Sequence, residues 1–101
     1  MPAYDFIIVG AGSAGCVIAS RLSENPDVQM LLLEAGGPDT HPDIHTPANC
    51  WLLQNTERDW AYRTVPEPHT ANRTRVWPRG KMLGGSSSMN AMIYIHGHRT
   101  D

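Results

Sequence analysis

Few features of this 101-residue sequence stand in excess, and its shortages set the first limits. Two cysteines, Cys16 and Cys50, are too few for a disulfide framework. Cys16 reads as a thiol packed against a sheet and Cys50 as a buried thiol in a short helix. Charged residues make up 18% of the chain and sum to −2, so there is no basic excess to hold nucleic acid or an anionic membrane surface. No apolar run approaches the roughly 20 residues that a membrane-spanning helix needs. The chain opens with neither a basic segment nor the apolar core of a secretion signal, and the expected location is the cytoplasm. Repeats, low-complexity tracts and heptads are missing too. The five histidines do not assemble a metal site. His41 and His45 lie in a proline-broken loop, His96 and His98 flank Gly97, and neither pair has a cysteine or carboxylate cluster beside it.

What the sequence does have is concentrated at its front. Phe6 to Val9 is an apolar run without polar alternation, the pattern of a parallel strand covered on both faces. Gly10, Gly12 and Gly15 follow it as G-x-G-x-x-G. Gly10 would permit the turn, Gly12 would let backbone approach a pyrophosphate, and Gly15 would let the helix lie close on the strand. Free N–H groups at the helix start, aided by the helix dipole, would hold the phosphate charge. A helix is expected over Ser13 to Ser23, with Val17, Ile18 and Leu22 facing the core. Past Pro26, Gln29 to Leu33 reads as a second strand ending at Glu34, 19 residues beyond Gly15. An acid there is placed to accept hydrogen bonds from ribose hydroxyls. A lone glycine fingerprint is weak, and a strand–helix–strand unit that merely carries glycines remains the alternative. The order of strand, turn, helix, strand and acid favours a dinucleotide site.

The middle of the chain is less regular. From Gly36 to Pro47 the composition is that of a loop. Ala48 to Gln54 could form two helical turns behind Pro47. Asp59 to Val65 alternates as an extended segment until Pro66 and Pro68 stop it, Thr70 to Arg75 looks like an exposed turn, and Val76-Trp77 a short strand. A second glycine-rich element then runs from Arg79 to Tyr94. Gly84 and Gly85 allow a tight turn, and Ser86 to Ser88 offer hydroxyl caps to a helix starting near Ser86. Such a helix start is a second place for an anion, although the residues alone favour a capped turn with no ligand.

These elements together resemble the glucose–methanol–choline (GMC) family of FAD-dependent oxidoreductases, in its N-terminal part. The resemblance rests on the first fingerprint, on Leu33-Glu34-Ala35-Gly36-Gly37, on Trp60-Ala61-Tyr62-Arg63-Thr64, and above all on Arg79 to Tyr94, whose G-K-x-L-G-G-S-S-x-hydrophobic-N pattern is specific to the family. It covers essentially the whole chain and is closest to the choline-dehydrogenase-like and alcohol dehydrogenase branch. It implies an α/β, Rossmann-like FAD-binding βαβ unit, with residues 1–101 the N-terminal portion of the FAD domain in a larger two-domain protein. Gly12, Ser13 and Ala14 would then lie along the FAD pyrophosphate, Glu34 on the adenosine ribose and Ala35 beside the adenine. Met82, Ser86, Asn90, Ala91, Met92 and Ile93 would line the flavin, with Ala91 near its N5 edge. Trp60, Arg79 and Gly80 would be neighbouring cofactor contacts. Some members attach FAD through a histidine just before the asparagine; Met89 stands there in this chain, which implies non-covalent binding.

The activity so implied is oxidation of an alcohol CH–OH group by hydride transfer to flavin N5. The partners implied are a small-molecule alcohol and the remainder of the same protein, which would supply the catalytic base. None of the five histidines is a candidate for it. Two strands and one crossover helix cannot cover both faces of a sheet, so apolar surface is expected to lie open and the chain to be a piece of a longer protein. Two other readings stay in view. One is a family member without net alcohol oxidation, such as a hydroxynitrile lyase or a light-driven decarboxylase; the other is an NAD(P)-dependent Rossmann enzyme.

Overall fold

The computed structural model describes residues 3–101. Its organising unit is β1 (Phe6–Val9), α1 (Ser13–Leu22) and β2 (Met30–Leu33), with the two strands parallel and in register from Phe6↔Met30 to Val9↔Leu33. The βαβ unit expected from the apolar runs is therefore present. Both strand entries are tied locally: the Gln29 carbonyl accepts from Asp5 and Phe6 N–H, and the Asp5 carboxylate accepts from Gln29 N–H. Residues Asn25 to Val28 turn the chain after α1, closed by the Val28 N–H to the Asn25 carbonyl.

Beyond β2 the chain abandons regular structure. Pro42–His45 and Pro47–Leu53 are 3-10 turns, with proline at the first position of each, where its missing N–H costs nothing. The second supplies the helical turns expected at Ala48 to Gln54, in 3-10 form and behind Pro47, and it buries Cys50 and Leu53. β3 (Tyr62–Arg63) and β4 (Val76–Trp77) form a short antiparallel pair, Tyr62 opposite Trp77. The turn between them contains a 3-10 turn at Pro68–Thr70 and left-handed Ala71 and Asn72, the exposed reversal expected at Thr70 to Arg75.

The helix expected near Ser86 is instead one 3-10 turn, Gly85–Ser88. Gly84 and Gly85 both have positive φ, +86° and +57°, which no continuing α-helix allows. The serines do not cap it either. Ser87 Oγ donates to the Gly84 carbonyl and Ser88 Oγ to the Leu83 carbonyl, so these hydroxyls bond backward to the chain.

The core does not lie under the sheet. Leu53, Met82 and Met89 form it, with Ile44 packed against them, while Ile8 and Ala11 are buried at the end of the βαβ unit. Val17 and Ile18 are exposed, at 62% and 49%, and Leu22 is half-buried, so the expected core-facing stripe of α1 is open. Ile7 and Val9 are open as well. The reason is the one given by topology: a two-stranded sheet with one helix has nothing to lay on its other surfaces. Cys16, expected against the sheet, is exposed and donates from Sγ to the Ala11 carbonyl at 3.2 Å. Among the described residues no helix is long and apolar enough to cross a membrane, and no group of three or more His, Cys, Asp or Glu could hold a metal ion.

Candidate functional site

The turn from β1 into α1 is built by backbone alone. Gly10, at φ +94°, donates to the Leu33 carbonyl at 2.7 Å and redirects the chain. Gly12 is the residue before the helix; it has no side chain to cap, and no acid occupies the first turn. The first N–H groups of α1 thus lack both intrahelical partners and a side-chain acceptor, and the helix dipole adds partial positive charge there. A Cβ on Gly12 would meet nothing within 4 Å, so the space in front of these donors is open. A Cβ on Gly15 would collide with the Gly10 carbonyl oxygen. Gly10 therefore makes the turn, and Gly15 lets α1 lie against both the Gly10 carbonyl and the Ile8 side chain of β1, which a Cβ there would meet at 3.5 Å.

Glu34 has a task that its position in the fingerprint did not announce. Its Oε2 accepts from Ala11 N–H at 2.7 Å and its Oε1 from Gly36 N–H at 2.9 Å, fastening the glycine turn to the end of β2. Each carboxylate oxygen keeps a further lone pair, and Glu34 lines the cavity described next, so an acceptor for hydroxyls remains available.

The second glycine-rich element closes over the first. Gly84 N–H donates to the Ala11 carbonyl at 2.8 Å and Leu83 N–H to the Gly37 carbonyl at 2.9 Å, with bridges Gly12↔Gly84 and Gly37↔Met82, both parallel. A Cβ at Gly85 would stand 3.0 Å from the Gly12 Cα, so the two backbones touch. Between the elements lie two cavities. One, of about 420 Å³, runs from Gly12, Ser13, Ala14 and Gly15 across to Ser86 and Asn90. The other, of about 500 Å³, is bounded by Glu34, Ala35, Trp60, Gly80 and Gly85. Val9, Gly10 and Gly12 line both, making one groove across the carboxyl ends of β1 and β2. That is where open α/β sheets take their ligands.

Asp59 was not singled out by its residue pattern and turns out to hold the groove's far wall. It is 6% exposed, and its carboxylate accepts three backbone N–H groups: Asn55 at 2.9 Å, Ala61 at 2.9 Å and Arg79 at 2.8 Å. Burial raises its pKa, but the three amide donors outweigh it and leave the carboxyl below its ordinary value of 3.8. The Asp59↔Gly80 bridge and the bonds Trp60 N–H to Arg79 carbonyl and Lys81 N–H to Arg58 carbonyl continue this staple. Gly80 N–H then donates to Ser86 Oγ at 3.1 Å, linking it to the 3-10 turn. The only sequence signal was an acid beside a tryptophan, which has no motif of its own.

The structure brings Gly10, Gly12, Ser13, Ala14, Gly15, Glu34, Ala35, Trp60, Gly80, Gly85, Ser86 and Asn90 to the groove. Gly84 stands behind it, bonded to Ala11. Five of the expected contacts stand elsewhere. Met82 is fully buried in the core, because its backbone bridges to Gly37 and turns the side chain inward. The Arg79 guanidinium lies over the Trp77 ring at 5.0 Å and bonds the Pro78 carbonyl, so this residue serves the site through its backbone. Ala91, Met92 and Ile93 are exposed and line neither cavity; just before them, Asn90 N–H donates to the Ser86 carbonyl. Trp60 itself carries the Lys81 ammonium at 4.9 Å and stacks on Tyr62 with ring centres 5.8 Å apart.

Comparison with known proteins agrees with this geometry. Residues 4–101 match the family described as GMC oxidoreductase. An alcohol dehydrogenase (acceptor) of Pseudomonas putida is 58% identical over 99 residues, which are 97% of this chain and 18% of that protein. Pyridoxine 4-oxidase from Mesorbium loti superposes with a TM-score of 0.87 at 49% identity, covering 97% of this chain and 19% of the oxidase. A formate oxidase of Aspergillus oryzae, studied for modification of its FAD, superposes with a TM-score of 0.82 at 42% identity, over 96% of this chain and 18% of its own. The chain thus spans about a fifth of the length of the proteins it matches.

Proposed function

The chain belongs to the GMC oxidoreductase family, and from that premise we propose that it forms the FAD-binding front of an oxidoreductase that oxidises a CH–OH group. The observation that carries the reading is the groove in front of α1. It presents free N–H donors on one side, a carboxylate on another and a second glycine turn opposite. A diphosphate suits the uncapped helix start, and hydroxyls of a ribose suit the spare lone pairs of Glu34. Ser86 and Asn90 supply polar groups to the opposite rim.

The bound flavin supplies a two-electron acceptor for the hydride of the CH–OH carbon. This chain's own residues bind and orient. Gly12, Ser13 and Ala14 hold negative charge through backbone donors, Glu34 fixes the turn, and Trp60 with Gly80 bounds the groove away from α1. No histidine lines either cavity, so proton removal from the substrate hydroxyl falls to the remainder of the protein. That remainder also covers the open apolar surfaces of β1, β2 and α1. With Met89 buried where an attaching histidine would stand, FAD is held non-covalently. The relatives point to alcohols as the substrate class.

Gly12→Asp in the full-length protein tests the reading. An aspartate at this position caps the helix, worth roughly a few tenths of a kcal/mol over glycine, yet puts negative charge where the diphosphate would lie. The expected outcome is wild-type protein with a flavin absorption band that an alcohol bleaches anaerobically, and a variant at least tenfold poorer in FAD whose FAD-free thermal midpoint is unchanged or higher. A variant that keeps its flavin would sink the proposal.

A further inference from the structure

We infer that Asp59 is a positioning residue for the cofactor: its carboxylate sets the wall of the groove that faces Glu34. This rests on the FAD reading above. Three amides from separate places, Asn55, Ala61 and Arg79, converge on one buried carboxylate. Two of these donors, Ala61 and Arg79, are the chain neighbours of Trp60 and Gly80, the residues that line the groove on this side. Ala61 has φ +48°, an uncommon conformation for a residue with a Cβ, and its N–H is held by Asp59 Oδ1. No side-chain cation pairs with Asp59 among the described ion pairs, so its charge is spent wholly on backbone donors.

From Asp59 the restraint passes onward by bonds. Arg79 N–H meets Oδ1, the adjacent Gly80 N–H meets Ser86 Oγ, and a Cβ on Gly80 would collide with the Gly85 carbonyl oxygen. Gly85 in turn touches Gly12. The carboxylate therefore acts on the glycine turn through Gly80 and Gly85 without itself lining the groove.

The test is FAD titration of the FAD-free full-length protein, wild type against Asp59→Asn. Asparagine keeps Oδ1 for Ala61 and Arg79 but turns an NH2 donor toward the Asn55 N–H, so one charge-assisted bond becomes a clash of donors. The expected result is a Kd for FAD raised about tenfold, the size of one such lost bond, with altered quenching of tryptophan fluorescence by FAD. A purely structural role would lower the thermal midpoint of the FAD-free protein and leave that Kd alone; an unchanged Kd overturns the inference. Should the variant not fold, hydrogen exchange on wild type decides: FAD must slow exchange at the Asn55, Ala61 and Arg79 amides, and unaltered exchange there counts against it. Wild-type protein that takes up no FAD overturns the cofactor reading and this inference together, whereas uptake with an unchanged variant overturns this inference alone.

Discussion

The two halves of the groove are made in opposite ways. The front half, Val9 to Gly15, is a short stretch whose glycine turn runs straight into an uncapped helix start, so the first N–H groups of α1 open onto the groove because of their immediate neighbours in the chain. The rear half, Asp59 to Asn90, has hardly any regular structure, and its shape comes from bonds between residues far apart: Gly84 to Ala11, Leu83 to Gly37, Arg79 to Asp59. Backbone geometry can build a donor array by itself, because a helix start always has unpaired N–H groups. A wall opposite that array cannot be built locally. It needs an anchor, and here that is Asp59, whose carboxylate accepts three backbone N–H groups, while Glu34 fastens the front turn to the end of β2.

That contrast can be broken at its front most severely. Gly15→Ala places a methyl on the Gly10 carbonyl, backbone against backbone, with no flexible side chain to yield. We expect a loss of about 3 kcal/mol and no recoverable FAD-binding protein, read from soluble yield and thermal midpoint. A variant as stable as wild type would mean that α1 does not sit so close to the turn.

Next comes the anchor at the join. Glu34→Ala leaves Ala11 N–H and Gly36 N–H without their acceptor. A loss of about 2 kcal/mol is expected, smaller than two full hydrogen-bond penalties because the site is only part-buried and water can enter. Chemical denaturation of the FAD-free protein measures it. Glu34→Gln, which keeps one acceptor oxygen, should fall between.

The smallest effect sharpens the rear half. Asp59 has its folded pKa below the ordinary 3.8. The sign follows directly: a carboxyl depressed in the folded state adds stability that is fully present above 3.8 and is lost as pH falls through the lower folded value. Comparing acid unfolding of wild type and Asp59→Asn, the difference between them should be constant near neutrality and shrink only below that point. A gap that closes already at pH 5 to 6 would place the stabilising charge elsewhere.

The expectations drawn from residues fared unevenly for a physical reason. Those resting on short-range rules held: the strand pair, the helix after Gly12, the turns at Pro47 and Thr70, the short strand at Val76-Trp77. The helix near Ser86 shortened to one 3-10 turn because Gly84 and Gly85 both take positive φ, a conformation that two adjacent glycines permit but do not impose. Met82 was expected at the flavin and lies in the core with Leu53 and Met89. Its direction depends on a bridge to Gly37, 45 residues away, of which the local pattern carries no trace. The α1 stripe of Val17 and Ile18 was read correctly as apolar, but whether it is covered depends on chain that packs on it.

By itself, then, the sequence determined the βαβ unit, the conformation of its glycine turn and the open donors at the helix start, because each follows from sterics and hydrogen bonding within a few residues. Only the tertiary structure decided that Gly84 and Gly85 lie against Gly12, that Glu34 ties the turn to β2, and that Asp59 holds the opposite wall. Those contacts join segments more than 20 residues apart, or gather amides that no motif links. Their geometry is a property of how the pieces meet, and nothing in the neighbouring residues encodes it.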